Sequence, residues 1–270
     1  MKGLALTFAL IVPMVPLLAQ DVTPSFGATV PASWVTDRFE PTTFALTNGT
    51  NGRNDVLNIG ITSAGDAANR PAGLQSAFYN TQGRKMALGT APGSFSLTAD
   101  LWVESGWETN AAGSNNSVRT DMWAVGFNAA ETPQDFDFAI IGFTNQAGTG
   151  LFRGWDEDVG WINFSNPVNY GAWNTLSVAF DASSSLFTYS VNGAFAGSFT
   201  GDATTIRIGE IIMQGYNFND GTFASGSSDY TALWSNTPAG ADVVPEPASM
   251  TLLATGLVGM AAARRRKRQA

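Results

Sequence analysis

The run Trp173-Asn-Thr-Leu-Ser-Val-Ala-Phe-Asp181, a short polar turn, Leu186-Phe-Thr-Tyr-Ser-Val191, then Asn192-Gly193 and Ala194-Phe-Ala-Gly-Ser-Phe199 decides the fold. Behind Trp173, the apolar Leu176, Val178 and Phe180 alternate with smaller residues. That spacing puts them on one face of an extended strand. Asn-Gly accepts the positive φ values of a type I′ turn, so 186–191 and 194–199 are expected to form a two-residue hairpin.

The same texture extends outward in both directions. Helical periodicity is nearly absent, and short apolar or alternating runs are separated by Gly, Asn, Asp and Ser. Expected strands are 55–62, 95–103, 122–128, 136–144, 160–164, 173–181, 186–191, 195–199, 206–213 and 230–234. The sequence holds 29 Gly and 12 Pro, as a chain with many tight turns needs. The block 173–193 resembles the penultimate strands of concanavalin A-like (laminin-G-type) jelly rolls, where a strand beginning at Trp runs into an Asn-Gly hairpin. Asp229-Tyr-Thr-Ala-Leu-Trp234 resembles the closing strand that this family pairs back near its N-terminus. The resemblance covers residues 94–237 and implies an all-β jelly-roll β-sandwich.

The two ends carry different signals. Met1-Lys2, an apolar run over 4–12 and Pro13 and Pro16 ahead of Leu17-Leu18-Ala19-Gln20 read as a signal peptide over 1–20, against the plainer reading of a buried N-terminal helix. At the other end, Val244-Pro245-Glu246-Pro247 precedes an uncharged run over 248–263 and then Arg264-Arg265-Arg266-Lys267-Arg268. As a helix that run is about 24 Å long, slightly short for a bilayer core, and its Gly and Ala make it a weak anchor. The basic cluster is expected to stay in the cytoplasm, leaving the rest of the chain across the membrane. Pro-Glu-Pro, a short apolar helix and an Arg-rich end resemble the PEP-CTERM sorting domain. That resemblance implies processing near Pro245, Glu246 and Pro247 by an exosortase-type membrane enzyme, with Arg264, Arg265 and Arg266 in the basic end.

Such systems belong to Gram-negative bacteria that make exopolysaccharide, biofilm or floc. The implied route passes transiently through the inner membrane to the cell surface or extracellular matrix. The tail is an address and not an activity. The expected organisation is a signal peptide over 1–20, a β-sandwich over 21–241 and a sorting tail with a transmembrane helix over 242–270. Residues 34–88 look like the N-terminal part of many such proteins and are expected to join the same sandwich.

Composition excludes a good deal. There are no Cys and no His, so thiol chemistry, a Ser-His-Asp triad and His-ligated zinc are all ruled out. Setting aside Lys2, Glu246 and the five basic tail residues leaves eight Lys/Arg against twenty-one Asp/Glu, a net of −13. An acidic body of that kind argues against nucleic acid, and against anionic membranes or polymers unless cations bridge them.

Carboxylate chemistry and hard cations remain. Asp135 and Asp137 stand at i and i+2 on a strand, yet lack the Glu continuation found in retaining jelly-roll glycosidases, whose carboxyls sit roughly 5 Å apart. An atypical glycoside hydrolase is the alternative this leaves, and the expected protein is not an enzyme. Calcium is the one cofactor left open, with Asp156, Glu157 and Asp158, or Asn217, Asn219 and Asp220, as oxygen ligands. Solvated loops are the plainer reading of both runs. Trp107, Trp155, Trp161 and Tyr216 lie beside polar, loop-like sequence and are the candidate sugar-stacking faces, whereas Trp123, Trp173 and Trp234 sit in apolar strands and are expected in the core. Arg38 and Arg70 are read as structural anchors. No array of Thr suits ice binding. The leading expectation is a lectin-like surface or matrix protein that holds extracellular polysaccharide, with a purely structural matrix protein as the third reading.

Overall fold

The computed structural model describes residues 19–89, 91–110, 116–130, 137–219 and 229–236. Residues 1–18 of the expected signal peptide, the sorting tail with Pro245, Glu246, Pro247, Arg264, Arg265 and Arg266, and Asp135 and Asp220 all lie outside the described residues, whereas Gln20 begins the first strand. Among those described, no helix is long and apolar enough to cross a membrane.

The described residues hold fifteen strands in chain order: β1 (Gln20–Asp21), β2 (Val35–Thr36), β3 (Thr43–Thr47), β4 (Val56–Ile61), β5 (Thr81–Ala87), β6 (Phe95–Val103), β7 (Arg119–Asn128) and β8 (Phe138–Thr144), then β9 (Leu151–Asp156), β10 (Gly160–Asn163), β11 (Ala172–Asp181), β12 (Leu186–Val191), β13 (Ala194–Thr200), β14 (Thr205–Tyr216) and β15 (Tyr230–Ser235). They build two sheets, one in the order β13-β12-β11-β6-β15-β4-β3 and the other β10-β9-β8-β7-β14-β5-β2. Every pairing on these two paths is antiparallel, and β1 adds a short parallel pairing to β6. The chain crosses repeatedly between the sheets, as in a jelly roll. The expected fold class is therefore the observed one.

The opening sequence block folds as read. β11 pairs with β12 from Leu176–Val191 to Asp181–Leu186, and Asn192 and Gly193 turn the next hairpin with φ of 50° and 77°. The closing strand β15 pairs with β4 through Tyr230–Ile61 and Trp234–Leu57, returning the C-terminal end of the sandwich to its N-terminal part. β2, β3, β4 and β5 all belong to the two sheets, so residues 34–88 are part of the same sandwich.

The core lies between the sheets. Phe95, Leu97, Leu101, Leu176, Val178 and Phe180 from one sheet meet Met122, Ala124, Ile141, Phe143, Phe152 and Met213 from the other. Each large apolar side chain removed from water contributes about 1.5–3 kcal/mol before the entropy of ordering is subtracted. Hydrogen bonds tie the layers together as well. Trp234 Nε1 on β15 donates to Thr120 Oγ1 on β7 at 3.0 Å, and the Tyr230 hydroxyl donates to the Arg119 carbonyl at 2.6 Å.

Candidate functional site: an arginine-laced aromatic cleft

β7 reads Arg-Thr-Asp-Met-Trp-Ala-Val-Gly-Phe-Asn, and both of its faces are apolar. Thr120, Met122 and Ala124 turn into the core. Asp121, Trp123 and Val125, on the alternate positions, turn to the outer face of the second sheet. There Trp123, Val125, Ile140 and Ile212 form a cluster separate from the core, with Phe127, Phe138, Trp155 and Trp161 packed against it. Register aligns this cluster across strands, because Ile140 and Ile212 both pair with Trp123, and Ile212 also pairs with Lys85.

The result is an open cleft of about 430 Å³. Trp123, Ile140 and Phe138 line it from the centre of the sheet, Trp155 and Trp161 from the β9–β10 hairpin, and Arg38, Phe78 and Arg119 complete its lining. Trp155 and Trp161 are register partners with ring centroids 5.2 Å apart, edge to face. Phe78 is 59% exposed, a large apolar ring left in water at the rim. A smaller cavity of about 110 Å³ near Gln20, Val22 and Phe95 has no charged side chain in its lining.

One register step along the same face the chemistry changes from aromatic to ionic. Arg153 pairs with Gly142, Gly142 with Asp121, Asp121 with Gln214, and Gln214 with Gly83. Gly142 is required at its place, since a Cβ there would sit 2.3 Å from both Asp121 Oδ1 and the Thr120 carbonyl oxygen. Arg119 Nε donates to Asp121 Oδ2 at 2.8 Å, and its guanidinium lies over Trp161 at 4.8 Å and Tyr216 at 5.0 Å. Arg38 Nη1 donates to Asp37 Oδ2 at 2.7 Å and Gln214 Oε1 at 3.1 Å, over Trp123 at 4.7 Å and Phe78 at 5.0 Å. Arg153 stacks on Trp161 at 3.6 Å, only 8% exposed, and its Nε and Nη2 have no hydrogen-bond partner. Asp121 Oδ1, across Gly142, has none either.

Burial sets the electrostatics. It pushes Arg153 down to about 10, with Asp121 opposing the shift and the neighbouring Arg119 adding to it. Arg38 is lowered chiefly by burial and Asp37 raised chiefly by burial, although each partly offsets the other's shift. Arg153 stays cationic at neutral pH. The carboxylates on this face, Asp37, Asp121 and Glu210, are ion-paired with Arg38, Arg119 and Lys85. The arrangement can stack flat apolar faces and donate charged hydrogen bonds.

The expected site residues are distributed unevenly. Trp155 and Trp161 line the cleft as ligand faces would, and Tyr216 lies on the same sheet face beneath Arg119. Trp107 does not join them. It is 6% exposed inside the core, its ring 5.8 Å from Phe143 and 6.1 Å from Tyr230, so both of its neighbours are core aromatics. Trp123, expected in the core, lies on the outer face because its strand is apolar on both sides. Trp173 also leaves the core and sits against Trp102 on the outer face of the other sheet, with Arg53 over it at 4.3 Å. Trp234 is fully buried in the core as expected. Arg70 anchors a loop through Gly65 and Asn80, whereas Arg38 lines the cleft.

The acidic candidates serve turns. Asp156 Oδ1 accepts from the backbone of Asp158 and Val159, and Glu157 Oε1 accepts from Phe138 N at 2.8 Å. Asn217 accepts from Asn219 N at 2.9 Å. Among the described residues no three acidic side chains are grouped to hold a metal ion. Asp137 is buried, accepting from Asp202 N and Thr205 Oγ1 at the start of β14. Sequence reasoning passed over Arg119 and Arg153. Their signal was in the text, because Arg119, Asp121 and Trp123 stand at i, i+2 and i+4, and Arg153 and Trp155 at i and i+2, in otherwise apolar strands.

Residues 243–267 match the PEP-CTERM protein-sorting motif. The chain therefore carries a signal for recognition by an exosortase, and that signal marks an exported protein sorted at a membrane toward the cell surface. No curated relative matches the chain in sequence. Among solved structures, a sialidase is similar at TM-score 0.43 and 13% identity, over 75% of this chain and 16% of its own. The chain thus spans about a sixth of that protein's length. The alginate lyase vAL-1 from a Chlorella virus is similar at TM-score 0.42 and 13% identity, over 75% of this chain and 90% of its own. The carbohydrate-binding module CBM66 from Bacillus subtilis follows at TM-score 0.35 and 8% identity, over 81% and 97%. Likeness at this level assigns no ligand and no activity to the chain.

Proposed function

We propose that this protein is a non-catalytic glycan-binding protein of the cell envelope or extracellular matrix, and that the cleft on the outer face of β10-β9-β8-β7-β14 is its binding surface. An exosortase-type enzyme is its processing partner, and the inner membrane of a Gram-negative bacterium is a way-station on its route. One observation carries the binding reading. Trp155 and Trp161 line an open cleft on a sheet face that the core does not need, with Trp123 and Ile140 beside them. Apolar area kept at the surface of an exported protein marks a place where something binds, and sugar rings offer apolar faces that stack on indole. The non-catalytic reading is supported by the ion pairing of Asp37, Asp121 and Glu210 and by the commitment of Asp137 to the turn before β14.

The test is a glycan-binding screen with the full chain, run in calcium and then in EDTA, with a parallel assay for cleaved glycan. Binding that weakens about tenfold in Trp155→Ala or Trp161→Ala, with the fold retained, supports the cleft as the site. Loss of binding in EDTA would assign a calcium ion to the acidic turns. Released oligosaccharide would replace this reading with the atypical glycoside hydrolase. Absence of any binding by a folded chain would leave a structural matrix protein.

A further inference from the structure

We infer that the glycan held in this cleft is acidic, and that its carboxylate or sulfate group is received by the free edge of Arg153, with Arg119 as the second cation. The inference rests on the reading of the cleft as a glycan site and goes beyond it by naming the ligand's charge.

Arg153 is the reason. A buried guanidinium without an ion pair is expensive, and Asp121, which makes no hydrogen bond to Arg153, offsets its desolvation only in part. Arg38 and Arg119 each have a carboxylate at hydrogen-bond distance, and Arg153 has none. Its two unpartnered donors, Nε and Nη2, lie on the same edge of the planar group. That edge presents two parallel N–H bonds, the geometry that matches the two oxygens of a carboxylate or sulfate. Arg119 stands near enough to push against the charge of Arg153, and Asp121, the carboxylate between them in register, already serves Arg119 and Gln214. A ligand anion would relieve the repulsion and satisfy both donors at once.

Charge distribution points the same way. At the Arg153 end of the hairpin, Arg119 and Arg153 share the single carboxylate of Asp121, a local excess of one positive charge on a body whose net charge is −13, while Asp156, Glu157 and Asp158 lie at the turn. The acidic body repels anionic polymers through its long-range field. A low-dielectric cleft is governed by the charges inside it. Trp161 covers Arg153 and its Nε–Nη2 edge is shut off from solvent, so the ring shifts to admit an anion and keeps its outer face for the sugar. The indole is part-buried on β10, an edge strand of its sheet.

The experiment compares binding of the full chain to alginate, a carboxylated polymer, to carrageenan, a sulfated one, and to neutral dextran and laminarin. An acidic polymer should bind on the order of tenfold tighter than either neutral one, with affinity falling as salt rises. Preference between the two acidic polymers identifies the group. Arg153→Lys keeps the charge and removes the fork, and should weaken acidic-glycan binding on the order of tenfold. Should that variant not fold, competition on the unaltered chain decides: glucuronate displaces bound polymer and glucose does not. Equal binding of neutral and acidic polymers, or equal displacement by glucose, overturns the inference while leaving the glycan site intact. A folded chain that binds none of the four overturns both.

Discussion

Arg153 and Trp161 are stacked across the β9–β10 hairpin, with the guanidinium carbon 3.6 Å from the centroid of the indole. The contact joins the most buried cation of the cleft to an aromatic ring of its wall. It shields a charge whose nearest carboxylate, Asp121, lies across Gly142 and makes no hydrogen bond to it, so the stability of the hairpin depends on the ring. Trp161→Ala removes a cation–π contact of about 0.5–2 kcal/mol and wets the guanidinium, which partly compensates. The expected loss is about 1 kcal/mol in urea unfolding, with the two sheets retained. An unchanged midpoint would show that the stack adds nothing to the fold.

Trp234 behaves differently because it is fully buried between the sheets. Its ring fills core volume, and its Nε1 bonds to Thr120 on the facing layer. Trp234→Ala should cost about 3–5 kcal/mol, enough to unfold a marginal domain. Trp234→Phe keeps most of the volume and loses the cross-layer bond, and should cost about half as much. Thermal denaturation of the two variants ranks them.

The acid side of the stability profile depends on Asp137. Burial raises its carboxyl above the ordinary range, against the opposing pull of Thr205 and Asp202. Glu157 is raised as well, again chiefly by burial. A raised acid favours folding in its protonated form. Its contribution is complete below the unfolded value, near pH ~4, and is lost as pH climbs through the folded value. Relative to Asp137→Asn, the native chain should therefore gain stability as pH falls from 7 toward 4. Urea titrations of both at the two pH values measure the difference, and a native chain that loses ground on acidification would reverse the assignment.

Gly142 separates the ion-paired Asp121 from Arg153. A methyl group at this position meets backbone oxygen as well as the carboxylate, so relaxation is difficult. Gly142→Ala is expected to destabilise by about 1–3 kcal/mol through overpacking. It should also weaken glycan binding, because Asp121 must shift and Arg119 with it. A variant with native melting temperature and native binding would show that the sheet has room there.

Much of the fold was legible along the chain. The strands at 95–103 and 186–191 fall where alternation put them, and the Asn192-Gly193 turn is specified by two residues that tolerate positive φ. Strands β1, β2, β3, β5 and β9 were not foreseen. β2 has only two residues, β5 carries Arg84 and Lys85, and β9 interrupts its apolar run with Arg153 and Gly154. The site was half legible. Trp155 and Trp161 stand beside an acidic turn that announces the surface, whereas Trp107 stands in equally polar sequence and is drawn into the core by its loop.

The sequence by itself determined the sorted, all-β character of this protein, because the Pro-Glu-Pro tail, period-two alternation and turn chemistry are local signals that short segments carry whole. Only the tertiary structure decided which aromatic rings face a ligand and which fill the core. On a strand such as β7 both faces are apolar, so alternation separates them without saying which one points inward. Tertiary structure also gathered Arg38, Arg119 and Arg153. Those residues lie on or beside β2, β7 and β9, and the pairing order of one sheet, a long-range property of the chain, puts them on one face.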